Sequence, residues 1–103
     1  MSDWVRVASV ADCPEGELKG VMAGGAPVVL ANVDGTIYAL EDRCSHQEVP
    51  LSNGYLEGEE VVCTFHGARF EACTGQNKRL PAVRPVRSFP VEVRDGDVYV
   101  DVG

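Results

Sequence analysis

The sequence has no continuous apolar run of the roughly 18 to 20 residues that a membrane-spanning helix requires. Its longest apolar stretch, Ala26 to Ala31, is short and contains Pro27. The first residues, Met1 to Trp4, also lack the basic segment and the long apolar segment of a secretory signal. We therefore expect a soluble, cytoplasmic protein with no membrane partner.

Basic residues are scarce: the chain has 9 Lys and Arg against 16 Asp and Glu, a formal net charge of −7. A negative chain repels a phosphate backbone, so nucleic acid is not an expected partner. The sequence also has no Gly-rich nucleotide loop and no Ser, His and Asp set for hydrolysis. Its 103 residues are the size of one domain, and we expect residues 1–103 to form a single unit that carries out no substrate chemistry by itself.

No window shows a sustained helical period, whereas short β-rich runs recur along the chain. The predicted strands are Trp4–Ala8, Leu18–Met22, Pro27–Val33, Thr36–Leu40, Val61–Val62, Arg69–Glu71, Ser88–Arg94 and Asp97–Asp101. Asp34-Gly35 and Asp95-Gly96 each separate two of these runs and predict hairpin turns. This pattern indicates an all-β fold of antiparallel sheets, either a sandwich or a barrel.

Only two histidines occur, and each follows a cysteine closely: Cys44-Ser45-His46 and Cys63-Thr64-Phe65-His66. Two thiolates and two imidazoles are able to hold one tetrahedral zinc ion or the two irons of a binuclear cluster. Common zinc sites take a Cys pair from one loop and a His pair from another, whereas here each loop supplies one of each. The mixed pairs favour a [2Fe-2S] cluster, with structural zinc and unligated residues as the alternatives.

Two further cysteines, Cys13 and Cys73, are alternative ligands by residue type. The set of four is complete without them, so we interpret each as a small buried or partly exposed residue.

The pattern CxHx16CxxH resembles the motif of the Rieske iron–sulfur proteins, and the resemblance extends over essentially the whole chain. It is strongest to the small Rieske ferredoxins of bacterial oxygenases, and the residues that carry it outside the four ligands are Gln47 to Gly54, Tyr55 to Gly58, Gly67, Phe70, Thr74-Gly75 and Leu80-Pro81-Ala82. The resemblance implies one [2Fe-2S] cluster held in a small subdomain by two loops, about 43–54 and 63–75. In that family Cys44 and Cys63 correspond to ligands of the buried iron, and His46 and His66 to ligands of the outer iron.

Departures from the respiratory and photosynthetic Rieske proteins concern four positions. Those proteins have an extra cysteine at the positions of Val49 and Phe65, and hydroxyl groups that donate hydrogen bonds to sulfur at the positions of Ala68 and Phe70. Ala and Phe donate nothing, so the reduced, more negative cluster is less stabilised. We expect a reduction potential near the low end of the Rieske range, roughly −150 mV.

By the same resemblance the chain is a one-electron carrier between an NAD(P)H-dependent flavoprotein ferredoxin reductase and a terminal oxygenase that hydroxylates aromatic rings. Contacts with both partners are expected to be transient and the protein to be a monomer. The expected docking surface surrounds the two histidines and includes Gln47, Glu48, Gly67 and Pro81.

Three other functions stay open from the sequence. The ferredoxin of a diiron monooxygenase shares some of the residues after Cys44, and a Rieske protein associated with cluster assembly would have an unknown electron acceptor. The third is a zinc-stabilised binding module with no redox role.

Overall fold

The structure, a computed structural model, describes residues 3–43, 50–64, 67–79 and 85–103. The strands are β1 (Trp4–Ser9), β2 (Leu18–Ala23), β3 (Ala26–Val33), β4 (Thr36–Glu41), β5 (Tyr55–Glu57), β6 (Glu60–Val62), β7 (Arg69–Glu71), β8 (Asn77–Arg79), β9 (Ser88–Phe89), β10 (Val91–Arg94) and β11 (Asp97–Asp101). Two one-turn 3-10 helices, Val10–Asp12 and Leu51–Asn53, complete the described elements. No helix in these ranges is long and apolar enough to cross a membrane.

The strands form three antiparallel sheets. We call them the terminal sheet, with strand order β1-β11-β10, the central sheet, with order β2-β3-β4-β9, and the loop sheet, with order β5-β6-β7-β8. The all-β, antiparallel prediction is therefore confirmed. The loop sheet contains more than the predicted pair of strands, because β5 and β8 extend the paired β6 and β7 on either side.

Strand β3 is buried on both of its faces. Alternate residues along it belong to two different apolar cores, which we name after a cysteine in each. The Cys63 core contains Val29 and Ala31 from β3, and the Cys13 core contains Val28 and Leu30. Burial on both faces requires apolar side chains at successive positions, which explains why the longest apolar run of the sequence lies here.

Each core joins the central sheet to one of the other two sheets. The Cys13 core is completed from the terminal sheet by Val98 and Val100, and the Cys63 core from the loop sheet by Val61 and Phe70. The loop sheet is therefore attached to the central sheet through apolar packing, on the face opposite to the terminal sheet.

Both predicted two-residue turns are present. The φ angles are +51° at Asp34 and +94° at Gly35, and +50° at Asp95 and +80° at Gly96. Two successive positive φ values match the right-handed twist of the flanking strands, and Asp-Gly is a favoured pair for this turn.

The prediction of one strand from Ser88 to Arg94 is wrong. The chain breaks at Pro90: β9 pairs with β4 in the central sheet, whereas β10 pairs with β11 in the terminal sheet. Proline has no N–H to donate and cannot continue a ladder of hydrogen bonds, so the chain changes sheets at this residue.

Candidate metal centre

Cys63 is the one predicted ligand that lies within the described residues. It directly follows the last residue of β6 and is 1% exposed. The other three predicted ligands, Cys44, His46 and His66, fall outside the described ranges. The structure thus places one thiol at the base of a loop, and the assignment of all four ligands stays a prediction.

The loop after Cys63 is the connection of a β-hairpin. Its flanking strands pair Val61 with Phe70 and Val62 with Arg69, and the Cys63 N–H then donates to the Ala68 carbonyl oxygen at 2.7 Å. Between Cys63 and Ala68, the described residues are the exposed Thr64 and the half-buried Gly67. In the sequence His66 falls between those two, so the CxxH motif spans a short connection between paired strands.

The loop that carries the other predicted Cys and His is held at both of its ends. Asp42 directly follows β4, and Ser52 belongs to the second 3-10 helix. The Ser52 backbone N–H donates to Asp42 Oδ1 at 2.7 Å, and the Ser52 hydroxyl donates to Asp42 Oδ2 at 2.7 Å. Asp42 carries no signal in the sequence, because an isolated acidic residue after a strand is usually solvated and its partner lies ten positions away.

Gly54 brings the end of the first loop against the strand that leads to the second. A Cβ atom on Gly54 would overlap the carbonyl oxygen of Val62, the residue before Cys63. Only a residue without a side chain fits at this distance. The two loops are therefore in contact through backbone, which fixes the ends of both relative to one another.

The described core residues that pack with Cys63 are apolar. Leu51, Ala68 and Phe70 are each 0% exposed and share its core. A thiolate buried among such groups is costly unless a cation offsets its charge, so this position fits a cysteine that ligates a buried iron. Neither Ala68 nor Phe70 offers a hydroxyl, as the low-potential prediction requires, and the low potential stays a prediction.

Arg69 connects three parts of the loop sheet next to this core. Its guanidinium lies 3.1 Å from Glu60 Oε1 and 3.0 Å from Glu57 Oε1. The hydrogen bonds to Glu60 and Glu57, in that order, raise the pKa of Arg69 and keep it charged. The negative charges of Glu57 and Glu60, on β5 and β6, are therefore partly neutralised by a cation on β7.

A third segment, Leu80-Pro81-Ala82, is among the residues that carry the family resemblance and lies outside the described residues. The chain that follows this segment is anchored at Val86, whose N–H donates to the Gly75 carbonyl oxygen at 2.9 Å. Gly75 has φ of +79°, and a Cβ atom on it would overlap the Val86 carbonyl oxygen. The chain after residues 80–84 is thus packed directly on the turn that follows β7.

Neither Cys13 nor Cys73 is a member of the Cys63 core. Cys13 is buried in the opposite core, where its thiol donates weakly to the carbonyl oxygens of Glu17 and Leu30 at 3.5 and 3.9 Å. Burial is the largest cause that raises the pKa of the Cys13 thiol above its ordinary value of 9.0. Cys73 is exposed, and neither residue forms a disulfide bond. These positions agree with the interpretation of both as residues outside the ligand set.

Comparison with known proteins assigns the family. The model of the Rieske [2Fe-2S] domain matches residues 3–90. The chain is 41% identical over 97 residues to the ferredoxin component of biphenyl 2,3-dioxygenase from Rhodococcus jostii (strain RHA1), covering 94% of this chain and 91% of that protein. The family match implies one [2Fe-2S] cluster.

Solved structures agree with this assignment. A chain in the complex of reduced oxygenase and oxidized ferredoxin in carbazole 1,9a-dioxygenase superposes with a TM-score of 0.89 at 38% identity, covering 95% of this chain and 92% of that chain. The Sphingomonas yanoikuyae B1 ferredoxin superposes with a TM-score of 0.92 at 31% identity, covering 98% of this chain and 100% of that one. The chain therefore belongs to the Rieske [2Fe-2S] family, among the ferredoxin components of aromatic ring-hydroxylating dioxygenases.

Proposed function

We propose that this protein carries single electrons from an NAD(P)H-dependent flavoprotein reductase to a terminal oxygenase that hydroxylates an aromatic ring. The observation that carries the proposal is the mutual coverage with ferredoxin components: 94% of this chain matches 91% of the biphenyl 2,3-dioxygenase ferredoxin. The two proteins are therefore similar over nearly their whole lengths. The solved complex of a similar chain with an oxygenase supports the second half of the transfer.

The ligand set we propose is Cys44 and Cys63 for the inner iron, with His46 and His66 for the outer iron. Support comes from Cys63, which is 1% exposed at the base of a hairpin, and from Thr64, which is exposed one residue later. The chain therefore passes from the core to the surface within this motif. When bound, the cluster accepts and releases one electron without a change of ligands.

The contribution of the described residues is to exclude water from the cysteine side and to offer no side-chain hydroxyl at positions 68 and 70. Leu51 and Phe70 are fully buried beside Cys63, and Ala68 has no hydroxyl. The absence of these two donors disfavours the reduced, more negative state. We infer a low potential, as suits a carrier that reduces an oxygenase rather than a respiratory acceptor.

Docking is proposed at the end of the loop sheet where Thr64 and Gly67 lie, because electron transfer needs the outer iron close to the partner. The net charge of −7 favours partners with basic surfaces and an association that weakens as salt is added. We propose that the full chain, 1–103, acts as a monomeric unit in the cytoplasm, where NAD(P)H is available. Strand β11 supports the single unit because it pairs with β1 at the other end of the chain.

The first experiment is to purify the protein without oxygen and to record absorption and electron paramagnetic resonance spectra before and after reduction with dithionite. Iron and zinc are counted on the same sample. Two irons per chain and a reduced signal with the low average g value of histidine-ligated clusters are expected. A colourless protein with one zinc would overturn the proposal.

Ligand variants test three of the four residues directly. Cys63→Ser, His46→Ala and His66→Ala are each expected to abolish the native cluster spectrum. Cys73→Ser is the matched control, because Cys73 is an exposed cysteine outside the proposed set. A native spectrum in any of the three variants would contradict the ligand assignment.

Turnover tests the partners. The purified protein is added to a flavoprotein reductase, NADH and a terminal aromatic-ring oxygenase, and product is measured. Hydroxylation that depends on this protein and falls with added salt is expected. The opposite outcome is a protein with an intact cluster that supports hydroxylation by a diiron monooxygenase and not by any dioxygenase. That result would overturn the proposed partner and assign the protein to a monooxygenase system.

A further inference from the structure

The hydrogen-bonded pair Asp42 and Ser52, which we call the Asp42–Ser52 pair, closes the first ligand loop at its base. Two bonds of 2.7 Å join the carboxylate to the Ser52 N–H and to the Ser52 hydroxyl. The carboxylate thus binds one residue through both of its oxygens, and bonds to a charged acceptor are stronger than neutral ones. The ring closed in this way contains residues 43–51, including Cys44 and His46.

Each member of the pair is anchored to a different part of the molecule. The Asp42 backbone N–H donates to the Pro27 carbonyl oxygen at 3.1 Å, which ties Asp42 to the central sheet. Ser52 follows Leu51, which is 0% exposed in the Cys63 core. The pair therefore fixes the distance between the strand that enters the loop and the helical turn that leaves it.

A third element, β2, leaves room for the pair at Gly20. A Cβ atom on Gly20 would stand 2.9 Å from Ser52 Oγ and 3.3 Å from Asp42 Oδ2. The first distance is below what real Cβ contacts show, and Gly20 has no positive φ that would require glycine on backbone grounds. The absence of a side chain at this position is therefore explained by the space that the Asp42–Ser52 pair occupies.

We propose that Asp42 and Ser52 are positioning residues for the cluster: they set the base of the loop, and thereby the orientation of His46 and the retention of iron. This inference rests on the proposed ligand set. Asp42 is two residues before Cys44, so a displacement at Asp42 is passed on through two peptide units. Gly20 acts in the same way from outside the loop, by keeping the site of the pair open.

The test compares Ser52→Ala, Asp42→Ala and Gly20→Ala in the cluster-loaded protein. Ser52→Ala removes one of the two bonds, Asp42→Ala removes both, and Gly20→Ala displaces the pair by contact. Asp12→Ala is the matched control, because the Asp12 carboxylate also accepts a backbone N–H, that of Ser9 at 3.0 Å, and lies in the connection after β1. The readouts are the g values of the reduced cluster, the reduction potential and the rate of iron release to a chelator.

We expect a graded effect, with iron release roughly tenfold faster in Ser52→Ala and faster again in Asp42→Ala. The g values should shift in both variants and in Gly20→Ala, at a temperature where each remains folded by circular dichroism. Asp12→Ala should lose thermal stability without a change of g values. A general loss of stability would not shift the g values in one set of variants and leave them unchanged in Asp12→Ala. This contrast therefore distinguishes a positioning role from a purely structural one.

The inference is overturned if Ser52→Ala and Gly20→Ala release iron within twofold of the unmodified protein and keep its g values. Should Asp42→Ala fail to fold, the smaller Ser52→Ala and Gly20→Ala substitutions still decide the outcome. Failure of the proposed function is seen separately, because the unmodified protein would then lack the Rieske signal before any variant is compared.

Discussion

Cys63 and Ala68 face each other across the base of a hairpin, joined by a hydrogen bond of 2.7 Å from the Cys63 N–H to the Ala68 carbonyl oxygen. Both residues are buried, at 1% and 0% exposure. The side chain at position 68 is therefore held beside the proposed ligand by backbone geometry, and its chemistry bears directly on the cluster.

Adding hydroxyl groups beside the cluster should raise its reduction potential. Ala68→Ser and Phe70→Tyr each introduce a donor where the side chain is fully buried. A hydrogen bond to sulfur stabilises the more negative reduced state, and we expect an increase on the order of 50 mV per hydroxyl. Protein-film voltammetry measures the change.

Ala72→Ser is the control for this pair, because Ala72 is 1% exposed in the same core but is not at either family position. Its potential should stay close to that of the unmodified protein. Equal potentials in all four proteins would refute the hydrogen-bond explanation.

Replacing Gly54 by alanine should destabilise the protein strongly. The added Cβ would overlap the backbone carbonyl oxygen of Val62, and backbone cannot move aside as a flexible side chain does. We expect a loss of about 3 kcal/mol in the free energy of unfolding, measured by urea titration. Gly58→Ala is the comparison, since its φ is +61° with no atom within 4 Å of the new Cβ; backbone strain alone should cost about 1 kcal/mol there. Equal losses would show that the Val62 contact is not what requires glycine.

Burial of Cys13 predicts a loss of stability at alkaline pH. The unfolded thiol releases its proton near the ordinary pKa of 9.0, whereas the folded thiol keeps it to higher pH. Above pH 9 the unfolded state thus binds fewer protons than the folded state, and the free energy of unfolding falls until the folded pKa is passed. Cys13→Ala should flatten this fall, as followed by denaturant titrations between pH 8 and about pH 11.

The control is Cys73→Ala, which removes an exposed cysteine and should keep the alkaline fall. If Cys13→Ala loses stability with pH as steeply as the unmodified protein, the fall has another origin.

Removing the cation that joins Glu57 and Glu60 should weaken the loop sheet. Arg69 is 20% exposed and bridges two strands, whereas Arg6 is 54% exposed and, among the described residues, has one ion pair, with Asp97. Exposed ion pairs contribute little, so Arg69→Gln should lower the melting temperature more than Arg6→Gln does. The difference should shrink in 1 M salt, where the charges are screened to within about 3 Å. A larger effect at Arg6 would contradict this ordering.

Local pattern predicted the two Asp-Gly hairpins and most strands of the fold. Asp34-Gly35 and Asp95-Gly96 form their turns because adjacent residues alone decide whether two positive φ angles are accessible. Pro90 interrupts the run from Ser88 to Arg94, and this break is visible in the sequence. The sheets that the two halves join depend on β4 and β11, their partner strands elsewhere in the chain.

The four proposed ligands and their spacing come from the sequence because metal chemistry selects residue types in short motifs, and their assignment stays a prediction. The motif does not determine that Cys63 is buried, because this burial results from packing of the loop sheet on the central sheet. The same holds for Cys13, whose place in the opposite core separates it from the site.

Sequence by itself determined the family, the cluster type and the alternation of short strands, since these depend on residue identity and near neighbours. Tertiary structure alone decided that Asp42 meets Ser52, that Gly20 makes room for both, and that Gly54 lies against Val62. Such contacts join residues from different strands and loops. Their partners are fixed only when apolar burial brings the sheets together, so no local pattern encodes them.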